Sequence, residues 1–374
     1  MKILLLSAYD ADSHQYWRKG LVAQLPEHQW TVLTLPGRYF SWRIRGNSMS
    51  WAFGKDAALL HAEYDLVIAT SMTDLSALKG FVPSLANTAT LLYFHENQFA
   101  YPATGKARAN VEPQILNLYS ALAAQKIAFN SHYNYQTFMQ GVDALLQKLP
   151  DQIPANVVTL LKQKSSVLPV PLSGSNMTLV ATLWSQYADV SLEHRPLLIT
   201  WAARWEYDKG PDRLLAIVQL LETQGIDYRL CIMGQSFRQI PEPFTQLQQQ
   251  FAHRIDQFGY ADTPAQYQSW LRDSDLFIST AQHEFQGLSV LEAAAQGCIP
   301  ILPDRLVYPE LFAAHFLYAS HQQASQEAES AVALILKFKH SELQNEQLAD
   351  IDYSWDKLAT QYRVLINECA QCDD

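Results

Sequence analysis

Two groups of residues in the second half of the chain have the types and spacing to handle an activated phosphate. Arg204 leaves the end of the apolar run Trp201-Ala202-Ala203, and Lys209-Gly210-Pro211 opens the helix-period segment that follows. Proline suits the first turn of a helix, and two cations beside a helix N-terminus make a site for a phosphate or pyrophosphate. Glu206 and Asp208 lie between and beside them, so pairing with these acids is the competing reading. Further on, residues 280–297 pass from strand to polar loop to a helix that begins near Gly287-Leu288 and stops at Gly297. Glu284 falls in that loop and Glu292 inside that helix. The backbone amides between them, from Phe285 and Gln286 through Gly287 and Leu288 to Ser289, are expected to present unsatisfied donors. In the first half, His95 ends an apolar run and is followed by polar Glu96-Asn97-Gln98. Its imidazole could meet a substrate or bond within its own loop. Neither His95-Glu96 nor His283-Glu284 leads into the second histidine of a His-Glu-x-x-His helix, so no metal site is expected.

The elements that must position these residues are legible as short apolar runs alternating with helix-period segments. The first half gives strands at 2–8, 30–35, 64–71, 88–95, 126–130 and 167–171, with helical patterns at 13–25 and 113–124 between them. A second series runs 197–203, 228–234, 256–260, 276–280, 300–303 and 316–319, and a last helix covers 355–368. Continuous rather than alternating apolar strands, each followed by a helix, indicate parallel sheets covered on both faces. The expected fold is therefore α/β, with two Rossmann-like doubly wound domains facing a central cleft. Residues 1–172 form one domain, 173–195 a connection, 196–354 the second domain, and 355–374 a helix and tail able to cross back. In such sheets the binding crevice lies outside the strand C-termini. Asp10-x-Asp12 reads as turn residues leading into a helix cap at Ser13, and Cys369-x-x-Cys372 as an inert pair near a frayed end.

The chain has 374 residues, 48% hydrophobic and 17% charged, which excludes disorder, collagen and coiled coil. No run of eighteen uncharged apolar residues occurs, the first residues read as a buried strand and not a signal peptide, and four cysteines make no disulfide framework. A cytoplasmic protein with no membrane partner is expected. The net charge of −10 hides an asymmetry: residues 1–170 hold 14 Lys and Arg against 11 Asp and Glu, while the rest hold 13 against 26. The first half is thus the face open to a polyanion. There, Arg38-Tyr39-Phe40-Ser41-Trp42-Arg43-Ile44-Arg45 interleaves three arginines with three aromatics and no acid. Arginines for phosphate and rings for unstacked bases are how single-stranded RNA is held. The alternative is a helix with Phe40 and Trp42 inward and Arg38, Arg43 and Arg45 in water.

With Gly297-Cys298-Ile299-Pro300 and Pro309-Glu310-Leu311-Phe312 following, Arg204, Lys209 and Glu284-x7-Glu292 resemble the donor site of retaining GT-B-fold glycosyltransferases of family 4. The resemblance covers about residues 196–365. It implies that Arg204 and Lys209 hold a nucleotide diphosphate, that Glu284 contacts the transferred sugar, that Glu292 binds the ribose, and that the amides of 285–289 touch sugar and phosphate. The first half, through Ser13-His14, the segments 30–38 and 42–46, Phe94 to Pro102 and Phe129 to Asn134, is similar to the tRNA-queuosine mannosyltransferases. That likeness implies GDP-mannose as donor, queuosine in a tRNA as acceptor, no cofactor, His95 as a catalytic contact, and acceptor contacts from His14, Asn97 and Ser131. It departs from the family in the loop after the first strand, where Asp10-Ala11-Asp12-Ser13 replaces the expected glycines. Rival readings are a transferase of the same fold acting on a lipid-linked, envelope or small-molecule acceptor, and a non-catalytic nucleotide-sugar or RNA binder.

Overall fold

The computed structural model of the chain describes residues 1–101, 111–172, 195–340 and 353–372. The expected connection at 173–195 lies outside the described residues except for Arg195, as does Pro102.

The apolar runs of the first half form β1 (Lys2–Asp10), β2 (Gln29–Pro36), β3 (Leu66–Thr70), β4 (Thr90–Phe94), β5 (Lys126–Phe129) and β6 (Ser165–Val167). They pair in parallel in the order β2-β1-β3-β4-β5-β6. The second series forms β7 (Leu197–Ala202), β8 (Tyr228–Met233), β9 (Ile255–Gly259), β10 (Leu276–Ile278), β11 (Ile299–Pro303) and β12 (Leu317–Tyr318). Their order, β12-β11-β10-β7-β8-β9, is that of a Rossmann sheet. All residues of β3, β4 and β10 are buried, as continuous apolar runs between two helix layers require. The strand order reverses at β1/β3 in the first sheet and at β7/β10 in the second, and these reversals open the crevices in which ligands bind.

Two local readings change. The strand expected at 167–171 lies two residues earlier, because Pro169 and Pro171 have no N–H for the ladder, and the Leu168 and Pro169 carbonyls accept from the Tyr93 and Tyr362 hydroxyls. The first helix starts at Asp12 with Ala11 as its N-cap, so Ser13 is helical rather than a cap. Asp10 turns back to Arg18, with contacts of 2.7 and 3.1 Å.

The chain divides into two compact units, one of residues 1–173 with 355–374, the other of 174–354. The helix Trp355–Ala370 therefore completes the first unit. It seats Trp355 against Gly20, where even a methyl group would stand 2.3 Å from the indole. The buried Tyr362 hydroxyl accepts from the Trp17 indole N–H at 2.9 Å and donates to the Pro169 carbonyl at 3.0 Å, with the Tyr93 hydroxyl at 3.1 Å. Cys369, fully buried on this helix, has its thiol pushed up to about 12 by burial, so the segment is ordered there rather than frayed. Replacing Tyr362 with Phe keeps the ring and orphans the Trp17 N–H. We expect a loss of about 1–3 kcal/mol in urea unfolding, and an unchanged midpoint would show that the hydroxyl contributes nothing.

Candidate active site

In the second unit the site is built at the β7/β10 reversal. The loop after β7 turns through Gly210, whose φ of +67° is left-handed, and a Cβ there would stand 2.1 Å from the Thr280 carbonyl oxygen. Only glycine lets the two loops close. They are then stitched by backbone and side chain: Gln282 and His283 amides donate to the Asp208 carbonyl, and the Thr280 hydroxyl donates to that of Lys209. This seats the Lys209 ammonium, nearly buried, 2.8 Å from the His283 carbonyl, 3.3 Å from Glu284 and 3.5 Å from Asp208.

Glu284 holds that ammonium with Oε2, while Oε1 accepts from the amides of Phe285 and Gly287 at 3.1 Å and, more weakly, Gln286 at 3.4 Å. Burial raises its pKa, but the Lys209 charge and the Gly287 amide outweigh this and hold it at about 2. Glu284 is thus an ionised acceptor at any physiological pH. Three of the five amides expected to present free donors are engaged by this carboxylate; Leu288 and Ser289, the first two residues of the helix Leu288–Ala295, remain without intrahelical acceptors. Gly287 caps that helix in the left-handed region, φ +70°, directly against the Tyr308 ring. Lys209, Glu284, Ser289, Ser279, Ala203 and Tyr308 line one small depression. Arg204 stands at its approach, exposed, 3.2 Å from Glu206. The cations therefore do pair with the acids nearest in sequence, at the place where the phosphate reading put them.

Glu292 is held apart from this cluster, 3.0 Å from the Tyr267 hydroxyl. Burial raises its pKa to about 7, with the Tyr267 hydrogen bond opposing. Sequence reasoning missed three supports. Tyr308 bonds Ser279 at 2.6 Å. Arg305 donates to the Ala281 carbonyl at 2.8 Å, and it pairs bidentately with Glu327, which is fully buried and also 3.1 Å from Arg213. Only Tyr308 had a signal, beside the flagged Pro309-Glu310.

In the first unit His14 and His95 are both buried and stack at 4.2 Å. Trp17 and Tyr93 box the His95 ring edge-on at 4.9 and 4.8 Å. Burial, and then the neighbouring His14, push His95 well below the ordinary imidazole range, so it is neutral near pH 7. Its Nε2 is buried with no hydrogen-bond partner among the described residues. Asn97 and Ser131 have a different task from the acceptor contact expected of them. Asn97 is fully buried, bonding Asn134 and Thr137 through Nδ2 and the Phe99 and Ala100 amides through Oδ1. Ser131 caps the helix His132–Leu146 by accepting from Asn134 N. Asn130 donates through Nδ2 to the His95 carbonyl and accepts from Asn134 Nδ2, so this asparagine network shapes the loop that carries His95. The helix Phe40–Ala52 is rotated relative to the expected packing: Trp42 and Arg45 face out, Arg43 and Ile44 face in, and Arg38 precedes it, exposed.

Comparison with known proteins fits this geometry. Residues 2–172 match the family described as tRNA-queuosine alpha-mannosyltransferase N-terminal, and residues 186–355 match glycosyl transferases group 1. Among solved structures, an E. coli trehalose-6-phosphate structure bound with UDP-2-fluoro glucose superposes with a TM-score of 0.63 at 12% identity, with both chains covered in full. The pneumococcal O-GlcNAc transferase GtfA, with UDP and GlcNAc, gives 0.56 at 15% identity over 82% of this chain; this chain spans 57% of its length. Fold and family together define a GT-B glycosyltransferase. The tRNA-queuosine alpha-mannosyltransferase of Drosophila melanogaster is 30% identical over 318 residues, 84% of this chain and 83% of that one. The chain belongs to the tRNA-queuosine alpha-mannosyltransferase family.

The Glu292 environment makes a checkable demand. Its carboxyl keeps a proton in the folded protein up to about pH 7 but releases it near 4.5 when unfolded. Folding therefore loses stability as pH rises between these values and gains none back above them. Glu292→Gln should match wild type at pH 5 and exceed it at pH 8, by on the order of 2 kcal/mol, in thermal or urea unfolding without ligand. Equal stability at both pH values would remove the raised pKa.

Proposed function

We propose that the protein moves mannose from GDP-mannose, with retention, to queuosine in a tRNA, and that it does so in the cytoplasm without a cofactor or metal ion. The observation that carries this reading is the 30% identity across 84% of the chain to a tRNA-queuosine alpha-mannosyltransferase. Among the described residues no helix is long and apolar enough to cross a membrane.

The donor-side roles follow from charge and reach. As the glycosidic bond breaks, negative charge builds on the departing diphosphate, and stabilising it is the largest electrostatic demand of the reaction. Arg204 and Lys209 meet that demand. Lys209 already faces Asp208 and Glu284, so a diphosphate joins an existing balance and orders Lys209 further rather than finding a free cation. Glu284, ionised and held on the amides of 285–287, can only accept; it takes hydrogen bonds from hydroxyls of the transferred sugar. The amides of Leu288 and Ser289 meet the phosphate, and Glu292 the ribose. On the acceptor side, His95 with its unpartnered Nε2 serves a hydroxyl as a neutral imidazole, and His14 holds its ring.

The test is incubation of the purified protein with GDP-mannose and queuosine-containing tRNA, followed by nucleoside mass analysis. Queuosine should gain one hexose, with or without EDTA. An unchanged queuosine peak with every nucleotide sugar tried would end the acceptor assignment. Lys209→Ala should lower turnover by at least about 100-fold while the protein melts cooperatively; near-normal turnover would take Lys209 out of the donor site.

A further inference from the structure

The three arginines of residues 38–45 occupy three different environments. Arg38 is exposed, its guanidinium 5.5 Å from the centre of the Tyr39 ring. Arg45 is neutralised twice, by Asp74 at 2.7 Å and Glu112 at 2.8 Å. Arg43 is only 9% exposed; among the described residues no hydrogen bond or ion pair reaches its side chain, and its Nε is buried without a partner there. Burying a cation with no counter-charge is among the most unfavourable arrangements a fold can contain. Asp74, on the loop to which this helix is pinned, is already taken by Arg45, by the Ser76 hydroxyl and by the Ala77 amide.

The position of Arg43 is fixed by its own helix. One turn further on, Asn47 donates to the Met72 carbonyl at 3.1 Å and accepts from the Asp74 amide at 3.0 Å, and Ser48 donates to the Asp74 carbonyl. The helix Phe40–Ala52 is thereby pinned to the loop after β3, at the β1/β3 reversal of the first sheet, where a doubly wound sheet opens its crevice. Thr73 Oγ1, on that same loop, is a second buried polar atom without a partner among the described residues. Beside this cation stand two exposed rings. Tyr39, at φ +56°, is held left-handed as the helix N-cap and is 71% exposed. Trp42 is 51% exposed and lies along its own helix over Gly46, where a Cβ would come within 2.5 Å of the indole.

We propose that Arg43 is the seat of one phosphodiester group of the acceptor RNA, with an unstacked base of the same strand resting on Trp42. The proposal rests on the RNA-acceptor reading above and narrows it: a guanidinium with its Nε buried and no anion beside it takes a phosphate oxygen, and the exposed indole of the residue before it takes a base. Arg45 keeps its acids and contributes little. The diphosphate of the donor has Arg204 and Lys209 of the second unit, which leaves Arg43 to the backbone of the nucleic acid.

The experiment uses the full chain and queuosine-containing tRNA, with binding followed by fluorescence anisotropy across a salt series. Arg43→Met should weaken binding about tenfold and reduce the slope of log affinity against log salt by about one. Arg43→Lys should keep the slope and recover part of the affinity, Arg45→Ala should change binding less than about threefold, and Trp42→Ala should weaken binding with the slope unchanged. Because the described residues give the Arg43 side chain no partner, Arg43→Met should melt at or above the wild-type temperature without RNA. A lower melting temperature would make Arg43 structural, and an unchanged slope would remove its phosphate contact. Intact RNA binding with a raised KM for GDP-mannose would hand Arg43 to the donor diphosphate. Each of these outcomes overturns the proposal while leaving tRNA as the acceptor. Wild-type protein that binds no tRNA overturns the acceptor reading itself.

Discussion

The second unit is organised around one ammonium group. Lys209 sits after β7 and Glu284 after β10, on the two strands between which the sheet order reverses, so their contact ties together the loops that bound the crevice. Nearly every local peculiarity serves it. Gly210 allows the loops to approach, the Asp208 carbonyl and Thr280 hydroxyl hold them in register, and Gly287 starts the next helix at the right height. Behind the loop, the buried Glu327 carboxylate with Arg305 and Arg213 fixes the Ala281 carbonyl from below. A buried carboxylate held by two guanidiniums is a stiff support, because removing the carboxylate leaves Arg305 without its counter-charge.

The two units meet charge in opposite ways. The second arranges acids against its cations before any ligand arrives, so that binding redistributes existing pairs. The first keeps its central imidazole neutral by stacking and burial, and leaves one guanidinium uncovered. A preorganised ionic site favours a tightly held, highly charged ligand. A site built from aromatic rings and isolated polar atoms favours a large ligand that brings its own counter-charge and is recognised piecewise.

How much of this could be read from the residues depended on the range of the interaction. The strands buried on both faces were legible, because burial between two helix layers forces unbroken apolar runs such as Leu66–Thr70 and Thr90–Phe94, whereas the partly exposed Ser165–Val167 was read two residues late. The positions of Lys209, Glu284 and His95 were legible because each lies at, or in the loop after, the C-terminal end of a strand, where such folds place chemistry. Interactions across long separations were not. Nothing near Glu327 in sequence announces that it supports Ala281, and nothing in 38–45 fixes the helix phase; Asn47 and Ser48, bonding to a loop some 25 residues away, rotate Arg43 inward and Trp42 outward. For Asn97 and Ser131 the motif resemblance could not tell that their side chains shape the loop and cap the helix beside His95.

The return of the last helix to the first unit has a consequence for biosynthesis. Trp17 and Tyr362 are 345 residues apart in sequence and one hydrogen bond apart in space. At roughly 5–20 residues per second, a ribosome makes the whole second unit before the helix that covers Trp17 and Tyr93 emerges. For that interval, on the order of ten to forty seconds, the nascent first unit exposes an aromatic face that a chaperone can hold. The second unit, continuous in sequence, needs no such wait. The order of synthesis is therefore not the order of completion: the half of the chain made first is finished last.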